Sequence, residues 1–275
     1  MRFARIASAF AGALIAVSLG APAASAEETA PAAPVDYVAL GDSYASGTGI
    51  GDYDPDSGSC LRSPGAYPEL WAAANEVSSF TFAACSGAVT DDVVANQLGG
   101  LDADTDLVSI SIGGNDAGFV EVITTCTILG TAGCRDAAAE ANAYIQTELP
   151  AQLDATYAAI RSAAPNSSVV VLGYPRLFHP TGACILSQAS RALLNDTADL
   201  LADVTAARAG AAGFTYADVR TQFDGHGVCA STPWINSIAW PINESFHPNA
   251  VGHAQAYLPA FSSVAPSSTA VLAAG

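Results

Sequence analysis

The stretch Val35–Gly51, VDYVALGDSYASGTGIG, passes from a short apolar run straight into a glycine-rich turn that carries Ser43. The same grammar recurs along the chain. Apolar runs at 35–40, 79–84, 106–112, 168–174 and 214–219 are rich in Val, Ile, Phe and Tyr, which predicts strands. Helical spacing appears between them. From Asp136 to Ala163, Tyr144, Ile145, Leu149, Leu153, Tyr157 and Ile160 fall on one stripe, with Pro150 predicting a kink or break. A second stripe, Leu193, Leu194, Thr197, Leu200, Leu201 and Val204, predicts a helix from Gln188 to about Arg208, and Asn249 can cap a last helix from Ala250 through Tyr257. Strands that alternate with helices imply right-handed crossovers and a parallel sheet covered on both faces. No composition break resembles a linker, so a single α/β domain is expected.

The ends and the composition bound what this domain does. Residues 1–26 read as MRFAR, an apolar stretch, and a small-x-small ending at Ala26, the pattern of a secretory signal peptide. Residues 27–34, EETAPAAP, read as a flexible leader. The apolar core of the signal is short for a membrane span and no comparable stretch follows, so no integral anchor is expected after processing. The chain has no lysine and a formal charge of −17, which becomes −19 once Arg2 and Arg5 leave with the signal. Such a surface repels phosphate backbones and anionic lipid, which argues against a nucleic-acid partner. Six cysteines, at 60, 85, 126, 134, 184 and 229, all lie beyond residue 26. An even count in an oxidising compartment suggests three disulfides in any of about fifteen pairings. No C-x-x-C pair exists and the histidines are scattered, so metal ligation is not expected.

In open parallel sheets, functional groups gather beyond the carboxyl ends of the strands. Here those ends read GDS (41–43), CSG (85–87) and GGND (113–116), whereas GYP (173–175) offers no obvious catalytic group. A serine hydroxyl needs a neighbouring base and donors for the oxyanion formed on attack. Of four histidines, His247 lies in ESFHPNAVGH, in a loop that can return over the sheet edge. His253 falls within the last helix as a structural residue, His226 in a GHG turn, and His179 before Pro180 is a reserve base.

These blocks, in this order and over residues 37–257, resemble the GDSL-type or SGNH hydrolases, in particular the secreted actinobacterial lipases and esterases of that superfamily. The resemblance implies a three-layer α/β/α, flavodoxin-like domain over residues 35–275 with a central, mostly parallel sheet. It assigns Ser43 of GDSYASG as nucleophile and His247 of SFHPNAVGH as base. The oxyanion would be held by the N–H groups of Ser43 and Gly87 and by the Asn115 side-chain amide. It also implies consecutive disulfides, Cys60–Cys85, Cys126–Cys134 and Cys184–Cys229, and a reaction that needs no metal or organic cofactor. Three residues before His247, where most relatives have aspartate, this chain has Glu244. Its carboxylate or its main-chain carbonyl is expected to bond the distal ring nitrogen, the alternative being a solvent-facing side chain with no role.

Asp42 and Asp116 are expected to brace their own turns, and DYDPDSG (52–58) to be a solvated acidic loop, since it lacks the glycine and the final acid of a calcium loop. Apolar residues near the strand ends, namely Phe119, Leu177, Phe178, Trp234, Ile235 and Trp240, with Val120 and Ile238 beside them, are candidates for an acyl-chain groove. The expected function is a secreted, monomeric serine ester hydrolase acting on medium to long acyl chains. The alternatives are a small-ester or carbohydrate-acetyl esterase, and a secreted binding protein without turnover.

Overall fold

A computed structural model of the chain describes Met1 and residues 34–266. The signal peptide expected over 1–26, the leader over 27–34 and the tail 267–275 lie outside the described residues, Met1 and Pro34 apart. Five strands form one sheet: β1 (Val35–Gly41), β2 (Val77–Phe82), β3 (Leu107–Ser111), β4 (Ser168–Leu172) and β5 (Thr215–Ala217). All pair in parallel, in the order β2-β1-β3-β4-β5. Tyr37 at the centre of β1 faces Phe80 on one side and Leu107 on the other. The central strands are buried on both faces because helices cover both, and their buried residues are apolar apart from Ser109 and Ser111 of β3.

The helices are α1 (Ser43–Ser46), α2 (Tyr67–Ala74), α3 (Thr90–Asn96), α4 (Phe119–Thr147), α5 (Leu149–Ala163) and α6 (Gln188–Ala211). Two short ones, α7 (Ala250–Gly252) and α8 (Leu258–Ser262), are joined by a π-helical turn at His253–Tyr257. α2 packs with α8 in one layer, and α3, α5 and α6 pack in sequence as the other. The first layer is aromatic: Tyr37 meets Trp71 edge-on at 5.2 Å, and Tyr67 stacks on Tyr257 at 5.5 Å. On the other face Leu149, Leu153, Tyr157 and Ile160 of α5 are fully buried, the stripe that the spacing predicts.

The helices depart from the sequence reading in places. The helix expected from Asp136 begins at Phe119, with non-helical backbone at Gly130 dividing it and the Cys126–Cys134 disulfide spanning the break. That interruption hides the first half from a periodicity search, because no single stripe runs through it. Pro150 does divide the long stretch: it occupies the first turn of α5, where its missing N–H costs nothing. The short helices α2 and α3 carry too few turns to show a period.

The order of the strands decides where the site lies. From β1 the chain steps to β2 on one side and returns to β3 on the other, so the loops leaving β1 and β3 diverge to opposite faces. A crevice opens between them at the carboxyl edge.

Candidate active site

Gly41 ends β1 with φ 125°, and a Cβ there would lie 2.5 Å from the Ser111 carbonyl oxygen of β3. Only glycine allows both that backbone angle and that approach. The Gln97 side chain, at the end of α3, grips Gly41 twice: its Oε1 accepts the Gly41 N–H at 2.7 Å and its Nε2 donates to the Gly41 carbonyl at 2.9 Å. Asp42 then caps the single-turn helix α1, accepting the Tyr44 N–H at 2.9 Å. Ser43 is therefore the first residue of a helix set directly on the central strand, and it is almost fully buried.

His247 arrives from the opposite end of the chain. Its loop is closed by paired main-chain bonds, Asn236 N–H to His247 O and Phe246 N–H to Asn236 O, and by Asn249, which caps α7 as expected. The Tyr44 hydroxyl donates to the Phe246 carbonyl at 2.7 Å and so fastens this loop to the Ser43 helix. The imidazole Nε2 lies 2.8 Å from Ser43 Oγ, and Nδ1 lies 3.0 Å from the Ser245 carbonyl oxygen. A carbonyl only accepts, so Nδ1 carries the proton and Nε2 is free to accept from the serine hydroxyl. Burial pushes the His247 pKa down to about 4, against the opposing pull of the main-chain carbonyls of Ser245 and Asn243.

This arrangement corrects the expectation for Glu244. Neither its carboxylate nor its carbonyl meets His247. Glu244 closes a 3₁₀ turn, Ile242–Glu244, which sends the side chain to the Tyr53 hydroxyl at 2.8 Å, while its carbonyl accepts from Asn236 Nδ2 at 3.3 Å. Phe246 takes a left-handed φ of 62°, folding the chain back so that the carbonyl two residues before His247 reaches the ring. A D-x-x-H pattern search looks one residue too early to find it.

Gly87 follows β2 in a left-handed turn at φ 83°, anchored by the Cys60–Cys85 disulfide and by the Ser86 N–H bond to the Cys60 carbonyl. Among the described residues no acceptor meets the N–H of Ser43 or of Gly87. Asn115, after β3, spends one amide hydrogen on the Ala88 carbonyl at 2.9 Å and has the other to offer. Asp116 reaches beyond its own turn: it accepts from the Thr90 N–H and hydroxyl, at 3.0 and 2.6 Å, and ties the β3 loop to the start of α3. The GYP end contributes a residue that the sequence reading passed over. The Tyr174 hydroxyl donates to Asp42 and accepts the Gly114 N–H at 3.2 Å, so one side chain joins the loops after β1 and β3.

Ser43, Gly87, Asn115 and His247 all line one cavity of about 580 Å³. Of the candidate groove residues, Phe119 and Leu177 line it, as do Val120 and Ile238. The other four do not. Phe178 and Ile235 are core side chains, Phe178 packing on Phe246. Trp234 stacks on His226 with 3.6 Å between ring centres, and Trp240 stands 89% exposed. The walls come instead from the undetected half of α4, through Ile123, Thr127 and Ile128, and from Ala198 and Leu201 of α6. The remaining histidines have other partners: His253 is buried and accepts the Tyr67 N–H, and His179 bonds the Thr181 carbonyl. Asp54 of the acidic run caps a 3₁₀ turn. The three disulfides pair consecutively.

The chain is similar to known lipases in sequence and fold. A lipase of Streptomyces rimosus is 50% identical over 266 residues, covering 96% of this chain and 99% of the relative. The crystal structure of an extracellular lipase from the same species superposes with a TM-score of 0.82 at 53% identity, over 83% of this chain and 99% of that one. A phospholipase A1 from Streptomyces albidoflavus superposes at 0.83 and 48% identity, over 85% of this chain and all of that one. The match to the family model spans residues 39–255, from the strand that delivers Ser43 to the helix beyond His247, and the chain belongs to the GDSL-like lipase/acylhydrolase family.

Proposed function

We propose that this chain is a secreted serine hydrolase that cleaves carboxylic esters of medium to long acyl chains, with Ser43 as nucleophile and His247 as its base. As a family member with lipase and phospholipase relatives it is a carboxylic ester hydrolase. The observation that carries the residue assignment is the 2.8 Å contact between His247 Nε2 and Ser43 Oγ at the wall of an apolar cavity.

In the first half-reaction Ser43 Oγ attacks the ester carbonyl carbon while Nε2 takes its proton. The negative oxygen is stabilised by the N–H groups of Ser43 and Gly87 and by the Asn115 amide. Nε2 then protonates the departing alcohol as the carbonyl re-forms, leaving an acyl-serine. In the second half Nε2 takes a proton from water, which attacks the acyl carbon, and returns it to Oγ as the acid leaves. Throughout, the Ser245 carbonyl holds Nδ1–H and stabilises the imidazolium as a dipole, the role expected of Glu244.

The acyl chain would lie along Phe119, Ile123 and Leu177 toward Leu201, a path too apolar for a sugar. Secretion is supported by the signal-like pattern of residues 1–26 and by three disulfides, which persist in oxidising compartments. The test is the initial rate across p-nitrophenyl esters from acetyl to palmitoyl, with Ser43→Ala protein as the blank. A Ser43-dependent optimum at octanoyl or longer is expected. An acetyl or butyryl optimum would replace the reading with a small-ester esterase, and turnover independent of Ser43 would remove it.

A further inference from the structure

Ten large apolar side chains are exposed among the described residues, and six of them sit on two segments: Val120, Ile128 and Leu129 of α4, and Ile238, Trp240 and Ile242 of the loop before His247. Scattered single exposures are ordinary, whereas clustering of this kind marks a docking surface. Val120, Ile128, Ile238 and Ile242 also line the cavity, so the two segments are its lips and exposed apolar side chains border the same space as Ser43. Basic residues are missing from both, and Glu121 beside Val120 is the one acid between the exposed side chains of the first. Residues 122–134 and 231–243 contain no Asp, Glu or Arg, in a chain that carries 26 acids elsewhere.

We propose that these two lips form a docking surface for the lipid assembly itself, and that the surface selects assemblies whose headgroups carry no net charge. The inference rests on the ester-hydrolase reading of the cavity but adds a partner to it. Continuity argues for lipid over protein: a lipid seated against the lips can pass its acyl chain into the cavity without crossing water, whereas a protein partner or a second copy on the same lips would close the mouth. Electrostatics sets the headgroup preference. Peripheral proteins usually add basic residues to hold an anionic leaflet, at roughly 1 kcal/mol for each. This chain has none to offer on either lip, no lysine anywhere, and a net charge of −17. An anionic surface therefore repels it, and apolar burial alone holds it to a zwitterionic one.

The test uses Ser43→Ala protein, so that the lipid is not consumed, in co-sedimentation with phosphatidylcholine vesicles. Leu129 and Trp240 are exposed to 64% and 89% and lie outside the cavity lining, so replacing them leaves the cavity intact. In the Ser43→Ala background, Leu129→Ser with Trp240→Ser should weaken partitioning at least about tenfold, the loss of two half-buried apolar side chains. Replacing a third of the phosphatidylcholine by phosphatidylserine should weaken it further. With Ser43 intact, the same two substitutions should leave turnover of soluble p-nitrophenyl butyrate unchanged, which separates failure of docking from failure of the catalytic reading. Equal partitioning of the double variant, or tighter binding to the anionic vesicles, would overturn the proposal. So would a dimer in sedimentation velocity that the two substitutions dissociate, which would assign the lips to a second copy.

Discussion

Tyr174 and Asp42 are bonded to each other behind the proposed nucleophile, the tyrosine hydroxyl donating to a carboxylate that lies wholly inside the protein. The same hydroxyl accepts the Gly114 N–H, and Asp42 accepts the Tyr44 N–H, so a three-bond chain crosses from the Asn115 loop to the Ser43 helix. Burial raises the Asp42 pKa to about 7, opposed by the Tyr174 and Tyr44 donors. The ring of Tyr174 also meets Tyr44 edge-on at 5.0 Å, so its position does not depend on the hydroxyl alone.

Tyr174→Phe keeps that ring contact and deletes both of its hydrogen bonds. If the bridge sets the spacing between Ser43 and Asn115, kcat should fall about tenfold with KM changed little, since the oxyanion exists only in the transition state. Steady-state kinetics on one soluble ester, beside a melting curve, checks this. A lower Tm with kcat untouched would reduce Tyr174 to a structural brace.

The acid limb of kcat/KM should lie near pH 4, well below the ordinary imidazole range. The sign follows from burial, which disfavours the charged ring and lowers the His247 pKa to about 4. The neutral, proton-accepting form then persists as pH falls from 7 and is lost only as pH passes through that value. A pH–rate profile on a soluble ester, corrected for acid unfolding, measures it. A limb at about 6.5 would mean that the ring is solvated in the working enzyme.

Glu244→Gln should leave kcat within about threefold, because the proposed imidazole partner is the Ser245 carbonyl and the lost charge touches only the Tyr53 hydroxyl. Stability should drop by no more than about 1–2 kcal/mol, the worth of one half-exposed charged hydrogen bond. A thousandfold loss in kcat would restore the carboxylate to the triad.

The sheet was legible because its signal is local. Each of the five apolar runs carries its own strand, and the three polar turns after 40, 84 and 112 sit where the chain must leave the sheet. Ser43, Gly87, Asn115 and His247 could be named because each lies in a short block and the blocks, taken in order, resemble a known family. The partner of His247 could not, since it depends on the backbone angle at Phe246, which no side chain announces. Tyr174 was hidden for a similar reason: its function as a bridge exists only once β4 is placed beside β3. The groove was misread because apolar residues in loops serve core and cavity alike. Phe178 and Ile235 went inward, and the wall was built by a helix whose period Gly130 interrupts.

That wall supplies the last prediction. Ile123 is buried on α4, lines the cavity and is separated in the chain from every proposed catalytic residue. Ile123→Trp adds volume in the proposed path of the acyl chain, so it should penalise long esters while sparing short ones. Rates on p-nitrophenyl palmitate relative to butyrate should fall about ten- to a hundredfold, the scale on which a filled pocket discriminates by chain length. Overpacking would cost about 1–3 kcal/mol of stability and act on every substrate alike, so the ratio of the two rates is the quantity to read, with Tm as its control. An unchanged ratio in a folded variant would move the acyl chain off the α4 wall, toward Ile238 and Phe246.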